Sequence, residues 1–117
     1  MTADPLQLLI VDDSPEDCYT YRRLLGARCA GGFACDDVGT GEQAIERCRT
    51  APPDCVLLDY NLPDMTGIEV LEALVEAGTA LPVVMMTGQG NEEVAVAAMK
   101  LGVQDYLVKG GVSGPEL

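Results

Sequence analysis

Four apolar runs in this chain are each followed by a polar residue whose side chain can bind ligands or take part in a reaction. The runs are separated by stretches with helical periodicity, which is typical of strands buried on both faces of a parallel sheet. In open parallel sheets, functional groups lie at the carboxyl ends of the strands, so we expect these polar side chains to meet at one edge. The runs are Leu8–Val11, Val56–Leu58, Pro82–Met86 and Tyr106–Val108, followed by Asp12 and Asp13, Asp59, Thr87 and Lys109 respectively.

Helix-starting signals lie between the apolar runs. Ser14 offers an N-cap before Pro15, and Thr40 and Thr66 are each followed three residues later by Gln or Glu, the spacing of a capping box. The alternation predicts an α/β fold with a parallel sheet and helices on both faces. The predicted strands are 7–12, 33–38, 54–59, 82–87 and 104–108, and the predicted helices are 15–29, 41–51, 66–77 and 91–101.

The last residues contain one further helix-starting signal. Ser113 and Glu116 have the capping-box spacing, and the sequence ends at Leu117. We therefore expect one domain over residues 1–117 that is cut short at the start of its final, fifth helix.

Composition narrows the possible functions. Nineteen acidic residues against seven basic ones give a net charge of −12, which repels nucleic acid and anionic membranes. The five cysteines include no C-x-x-C pair, and no secretory signal is present, so we expect reduced thiols in a cytoplasmic protein. There is no His, so any phosphohistidine must belong to a partner.

The acidic residues at the predicted sheet edge favour a metal site. Two like charges about 4 Å apart repel by about 4 kcal/mol at an effective dielectric near 20. If Asp12, Asp13 and Asp59 converge, a hard divalent cation such as Mg²⁺ would neutralise them, with water and phosphate completing its ligands. Each residue taken singly is ordinary, since Asp often follows a strand in a turn. Their occurrence after separate apolar strands is what favours a site.

A carboxylate beside a metal, an ammonium and a hydroxyl can accept a phosphoryl group. Asp59 ends a different strand from the acidic pair, so it is the predicted acceptor. Asp12 and Asp13 would hold the metal, and Thr87 and Lys109 would hold the phosphoryl oxygens.

Four segments carry a resemblance to a known family. The chain resembles a CheY-like response regulator receiver domain of two-component phosphorelays. The resemblance implies a doubly wound, flavodoxin-like sheet of order 2-1-3-4-5, with Asp59 as phosphoacceptor. The segments are LLIVDDSPED, VLLDYNLPDMTGIEVLEAL, PVVMMTGQG and DYLVKG.

The resemblance also implies a ligand set for Mg²⁺. Asp13, Asp59 and the backbone carbonyl of Asn61 would bind the cation, and Asp12 would act partly through water. Asn61 and Gln89 match two variable positions that tune hydrolysis of the phosphoaspartate. Both are uncharged amides, so we expect a moderately short-lived phosphorylated state.

A conformational switch is implied as well. Thr87 and Lys109 match the residues that contact the phosphoryl group, and Tyr106 matches the rotating switch aromatic. Phosphorylation would change the surface of the 91–101 helix and the 104–108 strand. Gly88 matches a position that keeps the acceptor open. Gly110 replaces the proline that usually follows the lysine, so we expect a trans peptide or unusual flexibility there.

The implied partners are a sensor histidine kinase or histidine phosphotransfer protein, together with an output domain or protein. We expect a signalling phosphoacceptor domain and not an enzyme with its own substrate. One alternative is an interaction module that works without phosphorylation. Another is an aspartate-nucleophile phosphatase, although those enzymes carry an Asp two residues after the nucleophile, where this chain has Asn61.

Overall fold

The computed structural model describes residues 6–28, 33–79, 81–88 and 92–108. Within this part of the chain, five strands alternate with four helices, as the hydrophobic pattern predicts. The strands are β1 (Leu6–Val11), β2 (Phe33–Val38), β3 (Cys55–Asp59), β4 (Val83–Thr87) and β5 (Asp105–Val108). The helices are α1 (Pro15–Arg28), α2 (Gly41–Thr50), α3 (Gly67–Glu76) and α4 (Glu92–Lys100).

The strands form one parallel sheet in the order β2-β1-β3-β4-β5, which confirms the predicted topology. Val11 pairs with Leu58, and Asp59 pairs with Met86. Strands β1, β3 and β4 therefore end at nearly the same level. The residues at these ends form the carboxyl edge of the sheet.

The core lies mainly between the sheet and helices α2, α3 and α4. Alternate residues of the central strands, such as Leu9, Leu58 and Met85, are fully buried against α-helical residues such as Val70 and Ala98. The intervening β1 residues Leu8 and Ile10 are buried as well, so β1 is covered on both faces, which explains its unbroken apolar run.

The helix ends follow the local signals closely. The Thr66 hydroxyl accepts from the Glu69 amide while the Glu69 carboxylate accepts from the Thr66 amide, which is a complete capping box. At Thr40 the box is incomplete, because the Gln43 side chain instead accepts from the backbone amide of Gly39. The second half of that predicted box is thus wrong, although the helix begins where expected.

Helices α3 and α4 are each followed closely by a glycine in the left-handed region. Gly78 has φ +73° and Gly102 has φ +94°, values that side chains disfavour.

The predicted start of a fifth helix at 113–116 lies outside the described residues. Among the described helices, none combines the length and apolarity needed to cross a bilayer.

Candidate functional site

Three carboxylates converge at the carboxyl edge of the sheet. One carboxylate oxygen from each of Asp12, Asp13 and Asp59 lies within 4.8 Å of the others. Asp12 is 3 % exposed and Asp59 is 5 % exposed, whereas Asp13 is open to solvent. The predicted convergence of these side chains is therefore present, with two acids inside the edge and one at its mouth.

Asp12 is held by hydrogen bonds to β2 and to the start of α1. Its amide donates to the carbonyl of Val38 at 3.0 Å, which extends the β1–β2 pairing by one step. Its Oδ1 accepts from the Ser14 amide at 2.9 Å, and its carbonyl accepts from the Cys18 thiol at 3.5 Å. Asp12 thus joins the end of β1 to the first turn of α1 while keeping its carboxylate at the acidic cluster.

Asp59 is positioned by a tightly closed loop after β3. The Tyr60 amide donates to the carbonyl of Met86 at 2.9 Å, and the Gly67 amide donates to the carbonyl of Tyr60 at 2.7 Å. Asn61 and Thr66 form an isolated antiparallel bridge across the same loop. We call residues 60–66 the acceptor loop, because they connect Asp59 to α3.

Gly67 is required by this closure. A Cβ at Gly67 would lie 2.7 Å from the carbonyl oxygen of Asp59 and 3.1 Å from the Cα of Tyr60. Both atoms belong to the backbone and cannot move aside easily. From the sequence, Gly67 is only one residue within the predicted helix 66–77, and its role in bringing α3 against Asp59 is visible only in the structure.

The carboxylates line an open cleft of about 440 Å³. Asp17, from the first turn of α1, also lines the cleft, and sequence reasoning missed it as a site residue. The available signal was its place in the first turn of the predicted helix, shortly after the acidic pair at the end of β1. The lining residues are Asp12, Asp13, Ser14, Asp17, Asp59, Asn61, Leu62, Pro63 and Gly88.

Thr87 and Tyr106 occupy the neighbouring strands. Thr87 ends β4, one residue beyond the partner of Asp59, and is 1 % exposed. Tyr106 on β5 is half-buried against the core and lines a second cleft of about 410 Å³ with Ala95, Val96, Met99 and Lys100. The predicted switch residue thus lies on the surface shared by α4 and β5.

Three residues named in the sequence analysis lie outside the described residues. They are Lys109, Gln89 and Gly110.

The described cysteines are free thiols. Burial raises the pKa of Cys18 to about 11, and the nearby carboxylates of Asp37 and Asp12 add to the shift. Burial likewise raises the pKa of Cys35, Cys48 and Cys55. Protonated thiols are poor nucleophiles and poor metal ligands at neutral pH, so the chemistry of this edge belongs to the carboxylates.

Residues 8–113 match the response regulator receiver domain family. The luminescence regulatory protein LuxO of Vibrio campbellii is 40 % identical over 100 residues, which are 86 % of this chain and 21 % of LuxO. The chain thus spans about a fifth of the length of this relative.

Solved structures agree with this assignment. A CheY-like response regulator receiver domain from Methylobacillus flagellatus has a TM-score of 0.77 and 29 % identity, covering 92 % of this chain and 88 % of that one. The Mn²⁺-bound form of response regulator Rcp1 has a TM-score of 0.80 and 29 % identity, covering 90 % of this chain and 81 % of that one. From its matched residues, its fold and its acidic edge, the chain belongs to the response regulator receiver domains, which are signalling domains of two-component systems.

Proposed function

We propose that this domain accepts a phosphoryl group on Asp59 from a sensor histidine kinase or histidine phosphotransfer protein. The observation that carries the proposal is the convergence of Asp12, Asp13 and Asp59 within 4.8 Å at the sheet edge. In the transfer, a carboxylate oxygen of Asp59 attacks phosphorus, and the bond to the partner's histidine nitrogen breaks. The electron pair of the broken bond stays on that nitrogen, which takes up a proton from solvent, so the products are an aspartyl phosphate and a neutral histidine.

The positions of the three acids support Asp59 as the acceptor. Asp12 already uses one oxygen to hold the start of α1. Asp13 is exposed at the mouth of the cleft, where a hydrated cation can reach it first. Asp59 lies deeper, at 5 % exposure, at the end of β3, and the acceptor loop that follows it is held by backbone bonds at Tyr60 and Gly67. A buried acyl phosphate is better protected from water than an exposed one.

The acidic cluster suits Mg²⁺. Asp13, Asp59 and the Asn61 carbonyl are the proposed ligands, and Asp12 would contribute partly through water. Bound Mg²⁺ neutralises charge on the carboxylates and the incoming phosphoryl oxygens. Oxygen-only donors favour this hard cation, and the structural similarity to Mn²⁺-bound Rcp1 supports a divalent ion at this edge.

Thr87, Lys109 and Tyr106 are proposed to read the phosphorylated state. The Thr87 hydroxyl and the Lys109 ammonium would hold the phosphoryl oxygens. If Thr87 moves toward the phosphoryl group, the Tyr106 ring can turn inward and alter the cleft that it lines with α4. The output partner or domain would recognise that altered surface.

Hydrolysis of the phosphoaspartate is proposed to be moderately fast. Asn61 is exposed on the acceptor loop, and its amide can hold a water molecule near Asp59. Gln89 is the second proposed position. The free thiols fit a reducing compartment, so the cytoplasm is the proposed location. Residues 1–117 are the proposed receiver unit, and residues 8–113 of it match the family.

The direct test titrates the protein with Mg²⁺ and beryllofluoride, a phosphoryl mimic, and follows binding calorimetrically. The matched control is Asp59→Asn, which keeps the size of the side chain and removes the anionic acceptor. The wild type is expected to bind the mimic and the variant is not. Equal behaviour of the two proteins would contradict the proposal and favour an interaction module that works without phosphorylation.

A second arm addresses the phosphatase alternative. The wild-type protein is incubated with a small phosphodonor and Mg²⁺, and the release of inorganic phosphate is followed over time. A phosphoacceptor domain is expected to turn over slowly, at the rate at which its own phosphoaspartate hydrolyses. The reason is that the Asn61 amide, which stands where the phosphatases have an Asp, cannot act as a general acid or base. Rapid multiple turnover would contradict the proposal and favour the phosphatase alternative.

A further inference from the structure

We propose that Asp64 is a positioning residue that latches the acceptor loop onto the first turn of α2. By doing so it keeps the Asn61 carbonyl and the cleft wall in place for a divalent cation. This inference deepens the proposed function and rests on it, because the cation site is the one described above.

The latch consists of two hydrogen bonds between distant parts of the chain. Asp64 Oδ1 accepts from the Gly41 amide at 2.8 Å, and Oδ2 accepts from the Glu42 amide at 3.0 Å. These partners are 23 and 22 residues away in sequence. Both carboxylate oxygens are therefore committed to α2, whose first amides have no acceptor within the helix.

The local N-cap of α2 is already present without Asp64. The Thr40 hydroxyl accepts from the Gln43 amide at 3.1 Å, which is the usual capping bond. Asp64 adds a second, remote cap on the two preceding amides. A carboxylate at this helix end also interacts favourably with the helix dipole.

Packing beneath the latch brings the two backbones together. A Cβ at Gly41 would lie 2.6 Å from Met65 Sδ and 2.9 Å from Val70 Cγ2, so a larger residue there would have to displace these side chains. Met65 follows Asp64 directly in the acceptor loop. The polar latch and the apolar contact therefore join the same two segments, the loop and the start of α2.

The charge state of Asp64 supports the latch. The two backbone amides lower the pKa of Asp64 below its ordinary value, because they stabilise the carboxylate. The group is therefore ionised at neutral pH. Asn at this position would keep one acceptor oxygen but would direct its own N–H groups toward the second amide.

The latch is connected to the cation site through a short length of backbone. At its base the acceptor loop is closed by the Asn61–Thr66 bridge and by the bond from the Gly67 amide to the Tyr60 carbonyl. Between these closures, Leu62 and Pro63 line the cleft, and Asp64 follows them. Holding Asp64 on α2 therefore holds the loop tip that forms one wall of the cleft.

The experiment compares Asp64→Ala with a matched control at the other end of the sheet. Asp54 is also an exposed aspartate, and its Oδ2 accepts from the Gln7 amide at 2.7 Å across 47 residues. Asp54→Ala removes the same kind of bond far from the carboxyl edge. Mg²⁺ affinity is measured by calorimetry, and the free energy of unfolding by urea titration without Mg²⁺.

We expect Asp64→Ala to weaken Mg²⁺ binding by about tenfold, the lower end of the losses seen when a residue that supports metal ligands is removed. Asp64→Asn should lie between Asp64→Ala and the wild type. Asp54→Ala should change the stability but not the Mg²⁺ affinity. Amide hydrogen exchange at Gly41 and Glu42 should accelerate in Asp64→Ala even without Mg²⁺.

Two results separate failure of this inference from failure of the proposed function. If folded Asp64→Ala binds Mg²⁺ as tightly as the wild type, or if Asp54→Ala loses as much affinity, the positioning role is overturned and the proposed function stands. If the folded wild type binds no Mg²⁺ at millimolar concentration, the proposed function fails first. If Asp64→Ala does not fold, unchanged Mg²⁺ affinity in Asp64→Asn overturns the inference.

Discussion

The two edges of the sheet differ in both chemistry and size. The carboxyl edge has a cleft of about 440 Å³ that is lined by Asp12, Asp13, Asp17 and Asp59. The amino edge has a larger cleft of about 560 Å³ between the ends of α3 and α4, lined mainly by apolar side chains. The lining includes Leu71, Leu74, Val75, Leu81, Val83 and Leu101.

The smaller of these two clefts holds the acidic cluster to which the proposed chemistry is assigned. In a parallel sheet the loops at the carboxyl edge are where polar residues can be placed without interrupting the strands. The amino edge instead receives the ends of helices whose apolar faces continue the core. Cleft volume alone therefore does not identify the candidate site, which is marked by the polar side chains that the strand ends bring together.

The largest contrast is expected from Asp59→Asn. This variant should lose phosphoryl acceptance entirely, because the amide cannot form the acyl phosphate. Its thermal stability should rise, because three carboxylates within 4.8 Å repel one another and one charge is removed. Phosphorylation assays with Mg²⁺ and thermal unfolding without added metal would measure the two effects. A lower melting temperature would argue against net repulsion in the cluster.

Leu74→Ala tests the amino edge, where we expect a loss of stability and no change in Mg²⁺ affinity. Leu74 is 4 % exposed and belongs to the main core, so truncation should lower the free energy of unfolding by about 2–5 kcal/mol. Mg²⁺ affinity of the folded variant should stay unchanged, because the carboxyl edge is untouched. Urea titration and calorimetry give the two values. A tenfold change in affinity would mean that the edges are coupled.

Mg²⁺ should stabilise the protein through the carboxyl edge alone. At a concentration one hundred times its dissociation constant, a ligand that binds only the folded state contributes about 2.7 kcal/mol. We expect this increment in the wild type and in Leu74→Ala, and its loss in Asp13→Asn. Thermal unfolding with and without Mg²⁺ measures it. An equal increment in Asp13→Asn would show that Asp13 is not a Mg²⁺ ligand.

The smallest predicted effect concerns alkaline pH. The pKa of Cys18 is raised from 9.0 to about 11 in the folded protein, so folding favours the protonated thiol. Its contribution to stability is complete below pH 9 and is lost as the pH rises through 11. Cys18→Ala should reduce the fall in unfolding free energy between these pH values. A pH series of urea titrations would show no difference if the thiol were already exposed.

Much of the carboxyl edge could be predicted because its signals are local. Asp12, Asp59 and Thr87 each follow an apolar strand directly, and strand ends in a parallel sheet share an edge. The helix caps at Thr40 and Thr66 are also local, since the bonds span three residues. For these features, residue type and spacing carry the information that the fold uses.

Other features are decided only when distant segments pack together. The hydrogen bonds of Asp64 span 22 and 23 residues, and the space beside Gly41 and Gly67 is limited by atoms of other segments. No periodicity encodes such contacts, because they depend on how a loop and a helix end meet in space. The amino-acid sequence therefore determined which groups reach the carboxyl edge, and tertiary packing determined how the acceptor loop that carries Asn61 is held there.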